Sequence, residues 1–316
     1  MRENTNLLMD KLSDLITSMG LGVRRSTILG ALKQSMRLRT RPSEDQLIMA
    51  GESKLGGMPD LPKGTEWPRR KSGEPLAFIG QMNFTEVPDF AGTTLLPKRG
   101  IVFFFYDPTE LGWGWSPSEA DRWRVLLVDD RQADHKRTPA PDDLPEVFRL
   151  SPCKLVFSKE WTLPPLDSAD FEALKIPHEM QDRYFDLLSA LSTLQGGTDE
   201  EPLHRMLGFP DQIRTNVALD CEMGRRDLLG EGSWLGDREA LRVEREARRW
   251  LVLLQVDSDP ALGISWGNAG RLWYLIRGEE LRSGAWQDAW FVAHEFRSLP
   301  SEPEELPEPD DDEDLE

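Results

Sequence analysis

Residues 54–62 read KLGGMPDLP and residues 205–213 read RMLGFPDQI, so Gly57, Pro59 and Asp60 of one stretch stand where Gly208, Pro210 and Asp211 stand in the other. Three further echoes follow in the same order. LAFIGQMNF at 76–84 matches LVLLQVDSD and places Gln81 opposite Gln255; KRGIVFFFY matches NAGRLWYLI and places Gly100 opposite Gly270. DRWRVLLV then matches DAWFVAHE, with Asp121 and Trp123 opposite Asp288 and Trp290. An ordered set of this kind predicts an internal duplication. Each half would hold a Gly-Pro turn, a strand carrying a glutamine, a strand opened by glycine and a strand bearing tryptophan.

Outward from these repeats, short apolar runs at 76–84, 100–107, 123–129, 154–161, 250–257, 271–276 and 289–296 read as strands, rich in aromatic and β-branched residues. Their connections are too short, or too rich in Gly and Pro, for helical crossovers, which predicts antiparallel pairing. Leu8, Leu12, Leu15, Ile16 and Met19 recur at helical spacing before Gly20, and Ile28, Leu29, Leu32 and Met36 predict a second helix ahead of Pro42. Met180, Tyr184, Leu187, Leu188, Leu191 and Leu194 share one face of a longer helix, and residues 237–250 suggest another. The expected fold class is α+β: two duplicated halves with mainly antiparallel sheets packed with helices, preceded by a short helical N-terminal arm, with a ligand groove between the halves.

The net charge of −18 is unevenly spread. From Ser298 onward there are ten acids, four prolines and no base, which predicts a disordered acidic tail over 299–316. Residues 22–41 carry six Arg or Lys and no acid, a basic segment that either answers the acidity of its own protein or attracts an anionic partner. The expected division is a basic helical arm at 1–45 and a domain at 46–298, the latter comprising a first half at about 46–130, a connection at 131–200 and a second half at about 201–298. Outside the tail the charge is still roughly −8, which argues against sequence-specific nucleic acid as a partner. No run reaches the roughly 18 to 20 apolar residues of a membrane span, and the acids near the start do not suit a signal peptide, so a cytoplasmic location is expected. Cys153 and Cys221 read as buried small hydrophobes.

The chemical signals are individually weak. Residues 263–267, GISWG, satisfy Gly-x-Ser-x-Gly, but a nucleophile elbow needs a strand before Ser265 and a helix after it, whereas a loop and a strand flank it here. Asp288 and His294 follow in triad order, yet six residues along a strand separate them by about 20 Å. Asp257 and Asp259 could hold a divalent cation with help from Asp60 or Asp211, or could simply initiate a turn. His135, His178, His204 and His294 show no metal spacing, and no metal or cofactor is expected. Gln81 and Gln255, polar groups inside apolar strands, either tie their strands to neighbouring loop backbone or face a ligand across the groove. Trp113 and Trp115 lie in a turn-rich loop, either packed on the sheet edge or exposed to a partner.

SKLGGMPDLP with EWP at 66–68, PLAFIGQMNF, LLQVDSD and WGNAGRLWYLI together resemble the YwqG-like family, a bacterial group defined by a domain of unknown function, over about Ile48 to Phe296. The resemblance implies a cytoplasmic α+β protein of two related halves without an established activity. It also implies Trp-Gly-Asp-x-Gly where this chain has Trp266, Gly267, Asn268, Ala269 and Gly270, so the carboxylate is missing at 268. The function expected is that of a non-catalytic binding module for an unknown protein or small-molecule partner. Its groove would be lined by Gln81, Gln255, Asp257, Asp259, Trp266 and Asn268, with Trp113 and Trp115 as a partner-binding loop. The alternative is a carboxylate-based, possibly metal-dependent enzyme using Asp60, Asp211, Asp257 and Asp259.

Overall fold

The structure, a computed structural model, describes residues 2–109, 112–129, 134–198, 200–229 and 236–296; the expected acidic tail lies outside them. Twelve strands are formed among the described residues: β1 (Lys33–Pro42), β2 (Lys54–Leu55), β3 (Asp60–Pro62), β4 (Ala77–Asn83), β5 (Ile101–Tyr106), β6 (Trp123–Val128), β7 (His135–Arg137), β8 (Cys153–Thr162), β9 (His204–Leu207), β10 (Trp250–Asp257), β11 (Arg271–Arg277) and β12 (Trp290–His294). Ten of them make one antiparallel sheet in the order β12-β11-β10-β9-β1-β8-β2-β4-β5-β6, and β3 pairs separately with β7.

This order reads alike from both ends. β12, β11, β10 and β9 mirror β6, β5, β4 and β2 about the central β1–β8 pair. The two central strands are exchanged: β1, which precedes β2, bonds to β9, while β8, which precedes β9, bonds to β2. Registers agree with the mirror. Lys54 pairs with Lys154 and Arg205 with Arg37, and in the central ladder Lys154 faces Arg41 as Arg37 faces Ser158. Both halves also break register one step before the repeated glutamine, between Phe78 and Gly80 and between Val252 and Leu254, which is where an extra residue bends a strand.

The expected α+β arrangement is overturned. The architecture is mostly β, a single ten-stranded sheet instead of two sheets each backed by helices. The sheet curls until its two ends meet, so its inner faces cover each other. Phe104 packs on Tyr274 at 5.0 Å and Tyr106 stacks on Phe291 at 4.3 Å. Trp123 Nε1 donates to Ala289 O at 2.9 Å and Trp290 Nε1 to Gly114 O at 2.8 Å. Large aromatic side chains on β5, β6, β11 and β12 supply both the buried area and these indole donors, which leaves little of the inner face for a helix to cover.

Four helices gather elsewhere. α1 (Arg2–Ser18), α2 (Arg25–Gly30), α3 (Ala169–Glu172) and α4 (Gln181–Leu194) form a separate core around Leu12, Ile16, Ile28, Phe171, Tyr184 and Leu187. α5 (Val217–Arg225) adds Val217 and Cys221 to the main core, and α6 (Asp237–Ala247) and α7 (Gly278–Ser283) precede and follow the β10–β11 hairpin. The helix predicted through Met36 stops at Gly30, and residues 33–42 form β1 instead. Met36 satisfies both a four-residue spacing from Leu32 and a two-residue spacing to Leu38. Backbone partners on both sides, β8 and β9, decide for the strand.

Candidate functional site

Each half builds a polar cradle at its Gly-Pro turn. In the first, Gly57 takes φ +70°, a left-handed conformation that suits glycine, and swings Asp60 beneath the mid-strand glutamine. Gln81 Oε1 accepts from Asp60 N at 2.9 Å, while its Nε2 donates to Asp60 Oδ2 at 2.7 Å and Glu52 O at 2.8 Å. Lys54, fully buried, lies 3.1 Å from Asp45 and 3.6 Å from Asp60, and also donates to Met58 O. Arg137, arriving on β7, closes the cradle: its Nε donates to Asp60 Oδ1 at 2.7 Å and its Nη2 to Ile48 O at 2.8 Å. Asp45 Oδ2 accepts from Met58 N at 2.9 Å. Burial alone would raise the Asp60 carboxyl, but bonds from Arg137, Gly51 N and Gln81 and the charge of Lys54 outweigh it and hold it below the usual carboxylate range.

The second cradle repeats the plan with substitutions. Gly208 takes φ +71°. Gln255 Oε1 accepts from Asp211 N at 2.9 Å, and its Nε2 donates to Asp211 Oδ2 at 2.7 Å and to Leu203 O. Arg205 stands for Lys54, reaching Asp211 at 2.7 Å, Glu160 at 3.3 Å and Phe209 O at 3.4 Å. Thr162 Oγ1 takes the place of the Asp45 carboxylate and accepts from Phe209 N at 2.9 Å. Among the described residues no strand pairs with this turn as β7 does with the first, and the Asp211 side chain is 28% exposed where that of Asp60 is 0%.

Two adjoining cavities open at this second cradle. The larger, about 440 Å³, lies between the turn and α4, with Thr162, Arg205, Asp211, Phe185 and Leu188 in its wall. The other, about 370 Å³, is walled by Trp161, Leu207, Phe209, Trp250, Leu251 and Leu275. Leu207 sits at φ +61° where the first half has Gly56 at φ +66°. A branched side chain in that region carries about 1–2 kcal/mol of strain, and such strain concentrates at functional positions.

The residues expected to line a groove are mostly consumed in internal bonds. Gln81 and Gln255 are fully buried, and each serves the turn of its own half. Asp257 pairs with Arg271 at 2.7 Å and caps Leu203 N at 2.8 Å. Asp259 Oδ2 accepts from Thr40 Oγ1 at 2.7 Å and from His204 Nε2 at 3.0 Å; His204 Nδ1 accepts from Asp257 N, which makes Nε2 the protonated nitrogen. Trp266 is buried with Nε1 on Asp257 O, and Asn268 is exposed with Nδ2 on Phe296 O. Burial alone would raise the Asp259 carboxyl, yet the bonds from His204, Thr40 and Ala261 N hold it below its ordinary range. Its ionised form therefore stabilises the fold above about pH 4, and that contribution is lost as pH falls through the depressed value. Asp259→Asn is expected to lower the urea midpoint most at pH 6 and progressively less toward pH 3. An unchanging gap across that range would show that the charge contributes nothing.

Trp113 stacks on Trp115 at 5.7 Å, and Trp115 is 41% exposed. Their loop is fixed, because Glu119 accepts from Gly114 N and Trp115 N at 3.2 Å. Ser265 donates to Gly267 O, and His294 pairs with Asp220 at 3.0 Å, so no hydrogen bond joins the serine to that histidine. Burial pushes the Cys153 thiol up to about 11 and raises that of Cys221 well above its usual range. Among the described residues no three His, Cys, Asp or Glu side chains gather to hold a metal ion, and Asp60, Asp211, Asp257 and Asp259 each have their own hydrogen-bonding or ion-pair partners. Asp45, Lys54, Arg137, Thr162 and Arg205 were not legible as site residues, although a base six positions before Asp60 and Asp211 is visible in both repeats.

No curated protein matches the chain. Residues 53–294, well over half of its length, match the family described as a domain of unknown function (DUF1963), and the chain belongs to that family.

Proposed function

We propose that the protein is a non-catalytic binding module of the bacterial cytoplasm, of the YwqG-like type and built from a duplicated segment, and that it holds a small, largely apolar ligand in the 370 Å³ cavity. The observation that carries this reading is the difference between the halves: the same cradle is plugged in the first and opens beside a cavity in the second. Trp161, Phe209 and Trp250 offer aromatic walls, while Lys33, Gln212 and Arg248 add a few polar groups, the combination small-molecule sites favour. The strained Leu207 backbone in the same wall supports it further. Gln81, Gln255, Asp257, Asp259 and Trp266 then brace the cradles from behind. The Trp113–Trp115 pair is the surface we assign to a protein partner.

The cavity is tested with N-phenyl-1-naphthylamine, whose emission rises in apolar surroundings, titrated into the full chain and into Ala218→Trp, which places an indole in the cavity wall. Saturable binding is expected for the natural chain and at least tenfold weaker binding for the variant, with melting temperatures alike. Equal binding by both proteins, or none by the natural chain, would remove the cavity as the site.

A further inference from the structure

In the first half the turn strand β3 is paired: Asp60, Leu61 and Pro62 lie against Arg137, Lys136 and His135 of β7. The ladder is extended at both ends, by Thr138 N on Pro59 O at 2.9 Å and by Lys63 N on Asp134 O at 3.1 Å. The equivalent positions in the second half are Asp211, Gln212 and Ile213. Among the described residues no backbone group pairs with the N–H of Gln212, Ile213 or Arg214. The side chains tell the same story. Asp60 uses Oδ2 for Gln81 and Oδ1 for Arg137, whereas Asp211 uses Oδ2 for Gln255 and Arg205 and has no partner on Oδ1 among the described residues. Arg137 also lies 3.2 Å from Asp45, whose counterpart is Thr162. Asp211 and Thr162 both face the 440 Å³ cavity, together with Gln212, whose buried Nε2 lacks a partner among the described residues. Across the cavity, Phe185 on α4 is 62% exposed and Leu188 lies one turn along, an apolar wall suited to the methylene stem of a long cationic side chain.

We propose that this second turn is a docking edge for an extended, arginine-bearing segment of a partner protein. The segment adds a strand along Asp211–Ile213 and seats its guanidinium on Asp211, as β7 and Arg137 do within the first half. Strand addition supplies main-chain bonds and the carboxylate supplies selectivity, the usual division in this mode of peptide recognition. A planar guanidinium suits the seat better than an ammonium because it can donate to the carboxylate and the threonine hydroxyl together. The docking edge goes beyond the apolar ligand and uses the neighbouring cavity, while resting on the same difference between the halves; its peptide test does not depend on ligand binding.

The test uses a fluorescein-labelled peptide copying residues 134–140, DHKRTPA, titrated by anisotropy against the full chain. A second peptide carries citrulline in place of the arginine, which keeps the shape and removes the charge. Saturable binding of the first peptide is expected, weakened at least tenfold by citrulline and by Asp211→Asn, since hydrogen bonds to charged groups carry differences of that size. Hydrogen exchange on the natural chain gives a second reading: amides 212–214 should slow with the arginine peptide and not with citrulline, a result that decides the matter even if Asp211→Asn fails to fold. Absence of saturable binding, equal binding of the two peptides, or unaltered exchange at 212–214 would each overturn the proposal.

Discussion

Replacing Asp60 by alanine is expected to lower the unfolding free energy by about 3–5 kcal/mol, the range for breaking a fully buried ion pair. The carboxylate is completely buried and meets Lys54, Arg137, Gln81 and the Gly51 amide. Its loss leaves the Lys54 ammonium, which burial already pulls below its ordinary range, with fewer opposing charges and no water to replace them. Asp211→Ala removes the matching residue from the open cradle, where the Asp211 side chain is already 28% exposed and Arg205 keeps Glu160 at 3.3 Å as a second carboxylate. That change is expected to cost roughly 1–2 kcal/mol, an ordinary charged hydrogen bond in partial contact with solvent. Urea denaturation of both variants at pH 7 measures the difference. Equal losses would mean that the two cradles are equally closed, and the asymmetry underlying both functional proposals would be gone.

Phe291→Ala should be comparably severe, about 3–5 kcal/mol, as for other fully buried phenylalanines. Phe291 sits where the ends of the sheet meet: it stacks on Tyr106 at 4.3 Å and packs on Tyr274 and Trp123 at 5.2 and 5.7 Å. A double-mutant cycle with Tyr106→Leu is expected to show a coupling of about 0.5–1.5 kcal/mol, the range for aromatic pairs. Because Tyr106 belongs to β5 and Phe291 to β12, this coupling reports closure of the sheet across the two halves. Additive losses would place the two rings out of contact and the sheet ends apart.

The strand positions were legible because their apolar runs are long and bounded by Gly and Pro: the stretches read at 76–84, 100–107, 123–129, 154–161, 250–257, 271–276 and 289–296 fall on β4, β5, β6, β8, β10, β11 and β12. β2, β3, β7 and β9 are two to four residues long and leave no periodic trace. β1 was hidden by Met36, which fits two periods at once. The fold class differs from its sequence expectation for another reason. A strand with apolar residues on both faces states that it is buried, and says nothing of whether a helix or another part of the sheet buries it.

Of the candidate site, the glutamines and aspartates of both turns were visible as letters repeated in two contexts. Their partners were not, because Arg137 and Thr162 reach the cradles from distant strands that no local spacing connects to Asp60 or Phe209. By itself the sequence determined where seven of the twelve described strands lie, their antiparallel connections and the two turns, since these follow from side-chain type and backbone freedom within a few residues. Tertiary structure alone decided that β1 and β8 change places, that the sheet closes upon itself, and that one cradle is plugged while its twin stays open. Those outcomes depend on which backbone groups and charges find each other across 77 residues of chain at the plugged cradle and farther still at the sheet's closure, a competition between non-local partners that no window of sequence contains.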